Sequence, residues 1–192
     1  MPFGKIGTNR EERINHECMR TYRLARTREQ WDKQQAENLV WPLETHRYPA
    51  MKFSTEAFIH AVIAEVEKQQ RLDRRRIFTL TWSSSGPAGY AASLYPKTRV
   101  TASFIAMSVF KPDNLPDLAA ARGRAYYLLH SPGDRLIPMS MPTSARDLLS
   151  AKGARVELTT YDGGHGWHGD VYGMIRSGIN WCEKNCPAEL NN

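Results

Sequence analysis

The sequence predicts an α/β domain built on a mostly parallel sheet with helices on both faces. Three observations carry that expectation. Strand-like runs at 77–82, 100–110, 125–131 and 156–161 alternate with helical segments, the order that parallel strands and their crossovers require. The composition, 41% apolar and 24% charged, is that of a chain able to bury a core. The length of 192 residues suits one domain or a domain with an appendage, and no internal repeat interrupts it.

The elements follow in order. Residues 10–37 are dense in charge of both signs, and Ile14, Met19, Tyr22 and Trp31 fit a helical stripe only loosely, so 1–37 reads as a charged, helical N-terminal segment. The apolar run Asn38 to Leu43 is long enough for one buried strand that Pro42 must end or push to an irregular edge. It opens the main domain, 38–187, which leaves a tail at 188–192. Ser54 is placed to cap a helix with Glu56 in its first turn. Phe58, Ile59, Val62, Ile63 and Val66 then recur at helical spacing as one apolar stripe. The basic stretch from Arg71 to Arg76 leads into the strand Ile77 to Trp82. A sharp turn at 83–86 precedes a helix of small residues at 88–94. Further helices are expected at 143–152, ended by Gly153 in a left-handed cap, and at 171–184, with a glycine-rich loop at 162–169 before the last.

Charge and composition exclude several classes. The net charge is +6, but Lys and Arg are scattered, and no aromatic–basic motif supports nucleic-acid binding. No apolar run approaches the ~20 residues of a transmembrane helix. The N-terminus carries no apolar h-region, so no signal peptide is visible and a soluble, cytoplasmic protein is the default reading. Three cysteines are too few for a disulfide scaffold.

The chemistry concentrates in three loops. In Leu80-Thr-Trp-Ser83-Ser-Ser-Gly86 a strand runs into a tight turn and then a helix, which lifts one serine hydroxyl above the carboxyl end of the sheet. Such an elbow wants small residues two positions either side of its serine. Here those positions hold Thr81 and Ser85; Ser85 is small enough, and the β-branched Thr81 is harder to accommodate. His130-Ser-Pro-Gly-Asp134 places a carboxylate beyond another strand, and Gly163-Gly-His165-Gly-Trp167 places an imidazole beyond the next. Serine, acid and histidine thus follow one another in the order of an α/β-hydrolase, each on the edge where open α/β sheets bind ligands.

The stretches FTLTWSSSGPAGYAASLYP, SFIAMSVF, YYLLHSPGDRLIP and ARVELTTYDGGHGWHGDVY resemble the phospholipase/carboxylesterase family of α/β-hydrolases, the predicted esterases similar to dienelactone hydrolases. The resemblance spans about residues 38–185. It implies Ser83 as nucleophile, His165 as general base, Asp134 as the acid that orients it, and the Ser84 N–H as one oxyanion donor. It implies a small-molecule ester substrate and neither cofactor nor metal. Members of the family carry a His-Gly-type loop that supplies a second oxyanion donor, and this chain has no such sequence. The expectation is therefore a domain lacking the first strands of the fold, with an exposed sheet edge open to self-association and weakened catalysis. The alternative is a catalytically silent hydrolase-fold protein that binds a ligand or partner.

Neighbouring residues admit plainer readings. His168 rivals His165 but suits an exposed position, and a metal site from Asp162, His165 and His168 has too few ligands. Asp162 suits a turn, and Asp113 and Asp117 suit solvated loops. Trp82, Met107 and Trp167 are candidates to line a substrate pocket, and each fits simple packing equally. Cys182 and Cys186 fit packed or exposed thiols.

Overall fold

The computed structural model describes residues 41–47 and 51–187. The segment expected at 1–37, the beginning of the strand expected from Asn38 and the tail at 188–192 lie outside the described residues. Four parallel strands form one sheet in the order β1-β2-β3-β4: β1 Phe78–Trp82, β2 Ala102–Ala106, β3 Ala125–His130 and β4 Arg155–Thr160. The helices are α1 Thr55–Gln69, α2 Gly86–Leu94, α3 Ser140–Ala151 and α4 Val171–Asn185.

Side-chain alternation along the central strands divides the core. Ile105, Tyr126 and Leu128 point to one face, where they pack with Tyr90 and Leu94 of α2 and Ala145 and Leu149 of α3. Phe104, Ala106, Tyr127 and Leu129 point to the other, against Cys182 and Trp181 of α4. Helices therefore cover both faces. β2 and β3 are buried throughout, which suits the continuous apolar character of inner parallel strands. Phe104 is fully buried between the rings of Tyr127 and Trp167, with centroids 5.3 and 6.4 Å away. Burying such a side chain contributes about 1.5–3 kcal/mol. α4 approaches this face closely, since a Cβ on Gly178 would lie 2.2 Å from the Phe104 ring.

Several local expectations hold. The Ser54 hydroxyl caps α1 by accepting the Ala57 N–H at 3.2 Å, and Gly153 follows α3 with φ +85°. Others are corrected. Residues 41–43 form no strand; Leu43 instead packs against Ala88 and Ala91 of α2. The strand expected over 100–110 is confined to Ala102–Ala106. α3 begins at Ser140, because Pro142 falls in the first turn, where its missing N–H costs nothing. The α1 stripe is split: Phe58 and Val62 are exposed, while Glu56 is fully buried and accepts the Glu44 N–H at 3.0 Å. His60 donates to the Ala92 carbonyl at 3.2 Å and ties α1 to α2. Helical spacing marks an apolar face, but contact with α2 decides which part of it is covered.

Among the described residues β1 is an edge strand with no partner on its outer side, and Leu80 and Trp82 are exposed there. No helix among these residues is long and apolar enough to cross a membrane. Parallel pairing in register, with Trp82 opposite Ala106 and Ala106 opposite Leu129, brings all carboxyl ends to one side. The loops after β1, β3 and β4 therefore meet.

Candidate active site

Ser83 follows β1 directly and has φ +52°, a left-handed conformation that a residue with a Cβ adopts at some cost. Trp82 before it is extended and Gly86 after it is already helical, so the chain reverses within one short turn. The turn is held by Ser85, whose hydroxyl accepts the Trp82 N–H at 2.9 Å and donates to the Trp82 carbonyl at 2.8 Å. Close packing behind the turn is met by glycines. A Cβ on Gly86 would lie 1.8 Å from Ser108 Oγ, and one on Gly89 would lie 2.7 Å from Thr81 Oγ1. Thr81 is thus accommodated by the absence of a side chain across from it.

His165 sits in the loop after β4. Its Nε2 is 2.8 Å from Ser83 Oγ, and its Nδ1 is 2.8 Å from Asp134 Oδ2. An ionised carboxylate only accepts, so Nδ1 carries the proton and Nε2 is left as the acceptor facing the serine hydroxyl. The other oxygen of Asp134, Oδ1, accepts the Leu136 N–H at 2.8 Å and the Ile137 N–H at 2.9 Å. Burial opposes ionisation of this carboxyl. The Ile137 and Leu136 amides and the His165 ring outweigh it and hold the group below its ordinary value. Asp134 therefore faces the imidazole as a carboxylate.

Two residues without an expected role support this arrangement. His130, buried at the end of β3, donates through Nε2 to the Ile137 carbonyl at 2.9 Å and so braces the turn that supplies the Asp134 amides. The Tyr161 hydroxyl lies 3.0 Å from the Gly164 carbonyl and also against the Gly166 carbonyl, on either side of His165. Burial raises the Tyr161 pKa, and the charge of Asp134 adds to that, so the phenol remains a donor. The sequence pattern carries no signal for either role, because each depends on which loop packs against the side chain.

The other candidates scatter. His168 and Asp162 are exposed, as are Asp113 and Asp117. Asp117 caps a short 3₁₀ turn by accepting the Ala119 N–H. Ser84 is exposed at the elbow, next to the nucleophile candidate. Trp82 is exposed, with its ring 6.4 Å from that of His165 and tilted by 28°. Met107 is buried at the end of β2, with its sulfur 2.6 Å from the Tyr161 hydroxyl, and Trp167 is half-buried against Phe104. Cys182 is a buried free thiol whose pKa burial pushes up to about 12. Among the described residues no three His, Cys, Asp or Glu side chains cluster as a metal site would need.

No protein-family model and no curated protein matches the chain. Solved structures do. Arabidopsis thaliana SOBER1 is 22% identical over 70% of this chain and 67% of its own, with a TM-score of 0.52. The Bacillus cereus carboxylesterase is 16% identical over 72% and 67%, with a TM-score of 0.55. MGS-M1, an α/β-hydrolase enzyme from a Medee basin deep-sea metagenome library, is 16% identical over 73% and 66%, with a TM-score of 0.58. Topology, sheet order and these likenesses agree that the chain has the α/β-hydrolase fold.

Proposed function

We propose that this protein is a serine hydrolase that cleaves carboxylic esters of the carboxylesterase or phospholipase kind. The observation that carries the reading is the continuous hydrogen-bonded relay from Ser83 Oγ through the His165 ring to Asp134. Ser83 Oγ attacks the ester carbonyl carbon while His165 Nε2 takes the hydroxyl proton. The tetrahedral oxyanion receives the Ser84 N–H. As the C–O bond to the alcohol breaks, Nε2 returns the proton to the departing alkoxide, leaving an acyl ester on Ser83. Water then attacks that ester, gives its proton to Nε2, and the acid departs as the proton returns to Ser83. Asp134 stabilises the transient imidazolium and stays ionised throughout. The exposed Trp82 indole beside His165 offers an apolar flank to the acyl or alcohol part of a small-molecule ester.

The test is labelling with a fluorophosphonate together with hydrolysis of p-nitrophenyl esters. The native chain should do both, Ser84→Ala should keep the label, and Ser83→Ala should lose label and turnover. Label persisting in Ser83→Ala would overturn the assignment. A second reading, a silent protein that binds a partner or a second copy through its sheet edge, is favoured by the exposed Leu80 and Trp82 on β1. A folded native chain that neither labels nor hydrolyses, yet associates in solution, would replace the first reading with this one.

A further inference from the structure

The two loops that carry Asp134 and His165 come from different strand ends, and their relative placement sets the length of the relay. One buried atom touches both. Ser131, the first residue after β3, is 1% exposed, and its Oγ accepts the Gly133 N–H at 3.2 Å and the Gly164 N–H at 3.0 Å. The Gly163 N–H points to the same oxygen at 3.4 Å. Gly133 immediately precedes Asp134, and Gly164 immediately precedes His165. The Ser131 carbonyl also accepts the Asp134 N–H at 3.0 Å, closing the acid turn. The two loops are neighbours here, since a Cβ on Gly164 would stand in ordinary contact, at 3.8 Å, with the Gly133 carbonyl.

We propose that Ser131 is a positioning residue for ester hydrolysis, its hydroxyl oxygen clamping the acid loop to the histidine loop. This rests on the ester-hydrolase reading above. The oxygen touches no reacting atom; it sets where the residues after the two glycines stand. Gly164 has φ +67°, a conformation held by few constraints of its own, so an amide anchor one residue before His165 limits the travel of the ring. The Gly163 and Gly164 amides are half-buried, so without this acceptor they would turn toward water rather than stay in place. Removing the oxygen should let the histidine loop drift, and displacements of about 1 Å cost about 10²-fold in turnover.

The test uses the full chain with Ser131→Ala, which deletes the acceptor, and Ser131→Cys, which keeps a similar shape with a weaker acceptor. Hydrolysis of a p-nitrophenyl ester, normalised to active sites titrated with a fluorophosphonate, gives kcat and KM. Hydrogen exchange reports the amides of Gly133, Gly163 and Gly164. The expected result is a kcat lower by about 10–100-fold for Ser131→Ala, with KM within about twofold and faster exchange at Gly163 and Gly164. Ser131→Cys should fall between that variant and the native chain, and it carries the test if Ser131→Ala does not fold. Native kcat per titrated site, or unchanged exchange at Gly163 and Gly164, would overturn the proposal. If the native chain neither labels nor hydrolyses, the ester-hydrolase reading is what has failed, and the exchange at Gly163 and Gly164 alone then decides whether the clamp exists.

Discussion

Thr81 on β1 fills the space that Gly89 on α2 leaves open: a Cβ at Gly89 would stand 2.7 Å from Thr81 Oγ1 and 2.8 Å from its Cγ2. The crowding that an elbow normally relieves on the strand is here relieved on the helix. Gly89→Ala should therefore destabilise the domain by about 1–3 kcal/mol, although alanine is the better helix former. Thr81→Ala removes both clashing atoms and should recover most of that loss when combined with it. Urea denaturation of the two single variants and the double variant measures the coupling, expected at about 0.5–3 kcal/mol. Additive effects would mean that the two residues do not share this space.

Asp134→Asn should keep the fold and lose turnover. The asparagine oxygen can still accept from Leu136 and Ile137, but a side-chain amide can turn its NH₂ toward His165 and favour the tautomer with the proton on Nε2. That tautomer cannot accept the serine proton. A fall in kcat of about 10⁴ with little change in KM is expected in ester hydrolysis assays, set against circular dichroism and thermal melts close to those of the native chain.

Tyr161→Phe deletes the hydroxyl that lies against the carbonyls of Gly164 and Gly166. A carbonyl left unpaired in a half-buried site costs about 1–3 kcal/mol. Chemical denaturation should read a loss of that order, and faster exchange should be confined to the loop at 162–169. A loss spread over the whole sheet would assign Tyr161 to general packing instead.

His60 gives the fold a pH dependence separate from the site. Burial lowers its pKa below the ordinary 6.5, against the opposing pull of the Ala92 carbonyl it bonds, while Arg99 lowers it further and Glu56 raises it. The unfolded chain thus takes up a proton at a higher pH than the folded one. Stability from this group is complete above pH 6.5 and is lost as the pH falls through the lower folded value. Urea denaturation from pH 7.5 to 5 should show declining stability, and His60→Gln should flatten that slope. An unchanged slope in the variant would place the dependence elsewhere.

The sequence by itself determined the parallel α/β plan and the loops in which Ser83, Asp134 and His165 stand. Strand alternation, helical spacing and turn residues are local properties, and chain order then places those loops at one sheet edge. It could not determine which face of α1 is covered, because Phe58 and Val62 have the spacing of a core stripe, and only the contact of His60 with Ala92 leaves them outside. Nor could it show how a β-branched residue fits two positions before Ser83, since the room comes from Gly89, eight residues away and on another element. The polar supports lay equally out of reach. Ser131 Oγ with the Gly164 amide, His130 with the Ile137 carbonyl and Tyr161 with the carbonyls around His165 are pairings that no periodicity encodes. They exist because buried donors and acceptors must find partners, and which partner is within reach is decided only when the loops have packed.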